Sequence, residues 1–232
     1  MTIQVFSDAD TVAKEAARII ASEARSAVAA RGRFIMAVSG GKTPWQMLRA
    51  LVGEEVPWKD VHVVQVDERI APAGDPERNF THLRESLLSH SPLPPEQIHA
   101  MPVEEKDLEA AATSYLITLQ QMAGSPPVLD LAHLGLGPDG HTASLVPNDP
   151  VLNVTDRDVA LTGVYMGRRR MTLTYPMLNR SRRILWVATG AEKAGMLPRL
   201  RDGDVTIPAG RIRQDKALLL ADRPAAEKLG SK

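Results

Sequence analysis

Cysteine is absent from all 232 residues. That removes disulfides, thiolate metal sites and a cysteine nucleophile together, and it fits a reducing compartment. Aromatic residues are only 4% of the chain, too few for the stacking ladder that carries single-stranded nucleic acid. No sign of charge is in excess, since 28 Lys and Arg balance 28 Asp and Glu. A nucleic-acid or membrane-surface partner would need a net basic face, so neither is expected. Neutrality still leaves room for a small basic pocket. No run approaches the ~18 apolar residues of a membrane span. The first twenty residues carry early acids and no apolar core, so no leader is expected. Glycine and proline, 16 and 17 residues, are near average, which argues against wholesale disorder. The remaining expectation is a cytoplasmic globular protein, monomeric or at most weakly dimeric, acting on something small.

At ~150 residues per domain, the length predicts one domain over residues 1–232. A chain this long can bury roughly 70–75% of its unfolded surface without a staple. Short apolar runs alternate with helical patterns. Strands are predicted at 3–6, 34–38, 61–66, 128–136, 184–188 and 217–220, with a further one at 171–175. Helices are predicted at 8–30, 44–52, 77–89 and 107–122, and from about 191. Leu108, Ala112, Tyr115, Leu119 and Met122 share one face of the fourth. Such alternation predicts an α/β fold with a mostly parallel sheet flanked by helices on both faces.

In open sheets of this kind ligands bind beyond the carboxyl ends of the strands. After the 34–38 run comes Ser39-Gly40-Gly41-Lys42-Thr43-Pro44. Thr43 reads as an N-cap, Pro44 as the first helical residue and Gln46 as the capping-box partner. This segment is either an anion site at a helix start or an ordinary strand-to-helix turn. It matches neither GxGxxG nor the Walker pattern, so no nucleotide is implied. Asp67-Glu68-Arg69 follows the 61–66 run and reads as a solvated loop unless it lies on the sheet's active edge. Asp139-Gly140-His141 follows the 128–136 run. Its histidine suits a general base near neutral pH, with a carboxylate to orient it; the alternative is a bystander on a surface turn. His62, His82, His90, His99 and His133 lack such neighbours and read as structural or surface groups. Lys193 falls in the first turn of the last predicted helix, against the helix dipole, which an anion bound there would explain. Arg168-Arg169-Arg170 is the densest basic cluster. Four strand ends thus carry anion-binding or titratable groups without a nucleotide motif, which suggests a phosphorylated small metabolite. No GxSxG pattern points to an acyl-enzyme. Asp139, His141, Asp67 and Glu68 could ligate a metal, yet HExxH-type spacing is missing and no metal is expected.

Taken together, the segments 39–44, 66–69 (Val-Asp-Glu-Arg), Asn79, 134–145 (Leu-Gly-Leu-Gly-Pro-Asp-Gly-His-Thr-Ala-Ser-Leu), 170–174 (Arg-Met-Thr-Leu-Thr) and 190–194 (Gly-Ala-Glu-Lys-Ala) resemble the 6-phosphogluconolactonase family. The resemblance covers nearly the whole chain in the family's order. It implies hydrolysis of 6-phospho-D-glucono-1,5-lactone in the oxidative pentose phosphate pathway. It also implies a modified Rossmann-like fold shared with glucosamine-6-phosphate deaminases, and no cofactor. The deaminase branch carries a catalytic Glu five residues after the His, where this chain has Val146. It also tends to carry Tyr after its Asp-Glu, where this chain has Arg69. A sugar-phosphate sensor that binds without turnover is a third possibility, against which a retained base at His141 argues. One departure stands out: the family's Ser-Pro-Lys-Pro-Pro-like segment is replaced by Val164 to Arg170, and Arg168 or Arg169 is expected to take the place of its Lys.

For that reaction the site residues are expected to take separate roles. His141 would activate water, Asp139 would orient it, and Arg69 or a loop N–H would hold the oxyanion. Ser39, Gly40, Gly41, Lys42, Thr43, Asp67, Arg170 and Lys193 would bind the substrate and its phosphate.

Overall fold

Apolar runs and amphipathic segments alternate into strands and covering helices in a computed structural model that describes residues 1–230. Among these residues ten strands form: β1 (Thr2–Phe6), β2 (Phe34–Val38), β3 (Val61–Gln65), β4 (Asp67–Arg69), β5 (Ile98–His99), β6 (Leu131–Leu134), β7 (Val159–Leu161), β8 (Arg170–Leu173), β9 (Arg183–Ala188) and β10 (Ala217–Asp222). Seven of them make one sheet in the order β1-β10-β9-β6-β2-β3-β5, and every pairing in it is parallel.

Parallel strands buried on both faces favour near-continuous apolar runs, and β2 shows why. Its Phe34, Met36 and Val38 pack with Val12, Ala16 and Ile20 of helix α1 (Ala9–Arg31) and with Met47, Leu48 and Leu51 of α2 (Lys42–Val52). The intervening Ile35 and Ala37 join the opposite core. α3 (Asn79–Leu83) runs on into a π-helical turn, and α4 (Leu108–Ala123) adds Tyr115 and Leu119 to that opposite core. Each large apolar side chain so enclosed contributes ~1.5–3 kcal/mol. α1 begins at Asp8, whose carboxylate accepts from the Thr11 N–H, and ends at Gly32 with φ 73°. Both signals are visible in the sequence.

The chain leaves β2 toward β3 and β5 on one side, and toward β6, β9, β10 and β1 on the other. The carboxyl ends of β2 and β6 therefore flank the point where strand order reverses, the place where such sheets open a crevice.

Several expectations are corrected. Residues 67–69 are not a solvated loop. They form β4, with Asp67 and Glu68 buried, in a small antiparallel sheet of order β4-β8-β7. The expected strand at 171–175 is β8, and it belongs to this second sheet, in which β7 was not anticipated. The N-cap of α2 is Gly41, with φ 130° and no side-chain cap, rather than Thr43; the Thr43 hydroxyl instead meets the Thr189 hydroxyl at 2.5 Å. No long helix starts at Ala191. The short helix α5 (Tyr175–Arg180) precedes β9; after β9 comes a 3-10 turn at Ala191–Lys193 and then a separate short helix, α6 (Leu197–Arg201). Pro198 has no N–H to donate, so it sits in the first turn of that segment rather than inside a longer helix. Lys193 consequently is not in the first turn of a helix, and the dipole argument for it does not hold.

Candidate active site

Crossing the reversal point is a cleft of about 190 Å³ lined by Ser39, Gly40, Asp67, Arg69, Asn79, Gly135, Leu136, Gly137, Pro138, His141, Ala143, Arg170 and Lys193. A second cavity adjoins it, lined by Gly41, Lys42, Thr43, Gln46 and Thr189 among others, and shares Gly40, Gly135, Leu136 and Lys193 with the first. The structure thus brings Ser39, Gly40, Asp67, Arg69, His141, Arg170 and Lys193 to one cleft, and Gly41, Lys42 and Thr43 to its neighbour.

His141 is held by the turn that follows β6. Its Nδ1 lies 2.5 Å from Asp139 Oδ1, and its backbone N–H donates to the same oxygen at 3.1 Å. Gly137 backs the ring; a Cβ there would lie 2.1 Å from Nδ1. Only a residue without a side chain leaves room for the imidazole. Burial pushes the Asp139 carboxyl up, but the charge and the two hydrogen bonds of His141, joined by the Tyr165 hydroxyl, outweigh it and hold the group below its ordinary value. Asp139 is therefore ionised near neutrality and can only accept. The Nδ1 proton then belongs to the Asp139 bond, and neutral His141 keeps its lone pair on Nε2. Asp139 Oδ2 accepts from the Tyr165 hydroxyl at 2.9 Å. That residue was not singled out from the sequence.

The opposite wall rests on the small sheet. Glu68 is fully buried and accepts four hydrogen bonds, from the N–H groups of Arg69, Asn79 and Phe80 and from Gln65 Nε2. Two of these donors open α3, so a carboxylate stands where a helix start favours one. Asn79 thus fixed donates to the Asp67 carbonyl at 3.0 Å and accepts from Arg69 at 2.5 Å. Glu68 is an acid that positions others, a role that three adjacent charges do not announce. Arg170 pairs with Arg69 in the register of β4 and β8. Its guanidinium reaches Ser144 Oγ at 3.5 Å, and Ser144 in turn donates to Asp67 Oδ2 at 2.6 Å. Arg170 Nε is buried without a partner. Burial draws the Arg170 pKa down, although Asp67 opposes it.

Ser39 spends its polar groups on β6. Its N–H donates to His133 Nδ1 at 3.2 Å and its hydroxyl to the His133 carbonyl at 2.9 Å. His133 is wholly buried, which pushes it down to about 4 and keeps it neutral. Neither Arg168 nor Arg169 lines the His141 cleft. Arg168 pairs with Glu77 and Asp75, and Arg169 donates to the Thr162 carbonyl. Among the described residues no group of three or more His, Asp or Glu side chains is placed to hold a metal ion, and no helix is long and apolar enough to cross a membrane.

The family model described as glucosamine-6-phosphate isomerases/6-phosphogluconolactonase matches residues 7–220. A 6-phosphogluconolactonase of Mycobacterium leprae is 36% identical over 98% of both chains. The crystal structure of the Thermotoga maritima 6-phosphogluconolactonase superposes with a TM-score of 0.84 at 26% identity, covering 95% of this chain and 98% of that one. A monomeric glucosamine-6-phosphate deaminase superposes as well, with a TM-score of 0.85 at 20% identity over 98% of this chain and all of that one. The fold is therefore common to both reactions, and only the site can separate them.

Proposed function

Starting from the chain's membership of the glucosamine-6-phosphate isomerase/6-phosphogluconolactonase family, we propose that it hydrolyses 6-phospho-D-glucono-1,5-lactone to 6-phospho-D-gluconate. The observation that carries this reading is the Asp139–His141 pair at 2.5 Å in a cleft lined by cations. His141 Nε2 takes a proton from water as the water attacks the lactone C1 carbonyl. Asp139 holds the ring in the tautomer this step needs and stabilises the imidazolium it produces. Arg69, anchored by Asn79, or an N–H of the 137–141 turn, holds the tetrahedral oxyanion. Collapse expels the ring oxygen, which takes the proton back from His141. Such general-base help contributes ~10²–10⁴ in rate.

The substrate phosphate lies on the Gly40-Gly41 turn, with Lys193 and Arg170 as cations and with Ser39, Lys42, Thr43 and Asp67 completing the surround. The start of α2 supports this placement: it has no side-chain cap and no acid in its first turn, so its free N–H groups suit an anion. No cofactor takes part. Val146, buried and apolar, stands where the deaminase branch has its catalytic acid and offers no second proton shuttle. One domain over residues 1–232, acting on a sugar phosphate in the cytoplasm, completes the reading.

The test is hydrolysis of freshly generated lactone by wild type and His141→Ala, with spontaneous opening subtracted and glucosamine 6-phosphate run in parallel. Acceleration by wild type that is lost in the variant is expected. No acceleration over the blank sinks the lactonase reading. Turnover of the amino sugar would point to the deaminase, and binding with neither turnover to a sensor.

A further inference from the structure

Between β7 and β8 the chain folds back on itself as a narrow hairpin. The Tyr165 N–H donates to the Arg168 carbonyl at 2.9 Å and the return bond is 3.3 Å. Met166 and Gly167 fill the turn with φ 50° and 81°, the two successive positive values of a tight primed turn. Val164 and Met166 point to solvent, while Tyr165 between them turns inward. Its ring meets His141 edge-on at 5.5 Å, its face lies under the Arg170 guanidinium at 5.0 Å, and its hydroxyl donates to Asp139 Oδ2 at 2.9 Å. One side chain therefore touches the base, the carboxylate that orients the base, and a buried cation of the opposite wall. Three residues further on, Arg168 fastens the hairpin to Asp75 and Glu77.

We infer that Tyr165 is a positioning residue for the Asp139–His141 pair, brought there by a hairpin that Arg168 fastens to Asp75 and Glu77. This rests on the general-base reading above. A carboxylate bonded through one oxygen can still rotate about its terminal torsion, which is soft. Asp139 is bonded through both: Oδ1 takes the His141 ring and backbone N–H groups, and Oδ2 takes the Tyr165 hydroxyl. With its plane fixed, the ring it supports is fixed too. Burial, then the bond to Asp139, pushes the Tyr165 phenol above its ordinary value, so it stays protonated and remains a donor through the working pH range.

Tyr165→Phe keeps the ring against His141 and Arg170 and deletes only the hydroxyl. The expected result is a kcat about 3- to 10-fold lower with KM within about twofold. The acid limb of the kcat/KM profile should move to higher pH, because Asp139 without its second donor is a better partner for imidazolium. The other charged groups on the cleft, Asp67, Arg69, Arg170 and Lys193, are unchanged by this substitution. In an Asp139→Ala background the Tyr165→Phe loss should vanish, since either change removes the same bond. An unmoved kcat and acid limb overturn the inference, as does a loss of full size that persists in Asp139→Ala. If Tyr165→Phe lowers thermal stability, the double-substitution comparison, run below both melting temperatures, still reads the coupling. His141→Ala separates the two readings. Retained activity in that variant removes the general base and this inference with it. An inactive His141→Ala beside an unaltered Tyr165→Phe removes only the role of the hydroxyl.

Discussion

The two walls of the cleft are built in opposite ways. One stands on the long parallel sheet, where each strand ends and the next few residues supply a group: Ser39 and Gly40 after β2, and Gly137 and His141 after β6. The other stands on the small antiparallel sheet, whose three strands come from residues 67–69, 159–161 and 170–173 and bring Asp67, Arg69 and Arg170. The first wall gathers short contiguous motifs. The second gathers residues a hundred positions apart. The difference separates two tasks: on the proposed mechanism the parallel wall moves the proton, while the antiparallel wall holds charge in place.

Gly137→Ala tests that division most severely. The new Cβ would meet the His141 ring and drive it from Asp139, so kcat should fall by about 10²-fold or more while substrate binding survives. A variant with normal steady-state kinetics would show that the parallel wall does not depend on this fit.

The two histidines of that same wall sharpen the contrast. His133 is pushed from the ordinary 6.5 to about 4 by burial, so its neutral form is the folded form. Stability from this group is fully present above pH 6.5 and is lost as pH falls toward 4, because the unfolded chain takes the proton first. The loss is at most on the order of 3 kcal/mol. Urea denaturation at pH 7.5 and pH 4.5 should show it, and His133→Gln should flatten the difference. An unchanged pH dependence in the variant would assign the loss to other groups.

On the antiparallel wall, Arg170→Met should raise KM about tenfold and lower kcat much less. A kcat that falls as far as KM rises would place Arg170 in the chemical step and blur the two tasks. Arg168→Ala is the mildest change. It unfastens the hairpin from Asp75 and Glu77, both contacts at the protein's edge, where such pairs are worth ~0–1 kcal/mol. A kcat reduced about two- to threefold is expected from steady-state assays, and a larger rise in KM would return Arg168 to the ligand.

How much of this was legible follows from the same contrast. Short apolar runs alternating with helical patterns revealed the parallel sheet, because strands buried on both faces are mostly apolar. Asp139, Gly140 and His141 sit within three residues, so their chemistry could be read locally. β4 could not: Asp67, Glu68 and Arg69 look like a solvated loop until Asn79, Phe80 and Gln65 close around Glu68. The start of α2 misled in another way. Thr43 and Pro44 satisfy the capping pattern, yet Gly41 reaches a backbone conformation that lets the helix begin two residues sooner. Tyr165 carried no signal beyond its place in the segment that departs from the family pattern. Its partners, Asp139 and Arg170, are named only by the fold.

The outermost pairing of the large sheet has a consequence in time. Among the described residues β1 lies beside β10 alone, Thr2 opposite Leu218 and Phe6 opposite Asp222. A ribosome releasing ~5–20 residues per second therefore exposes this strand for some ten seconds or more before β10 exists. During that interval α1 and α2 can already pack together, while Thr2–Phe6 waits as an unpaired edge. The pairing at this margin thus joins residues more than two hundred positions apart, and the sheet's edge waits on the slowest of its contacts to become possible.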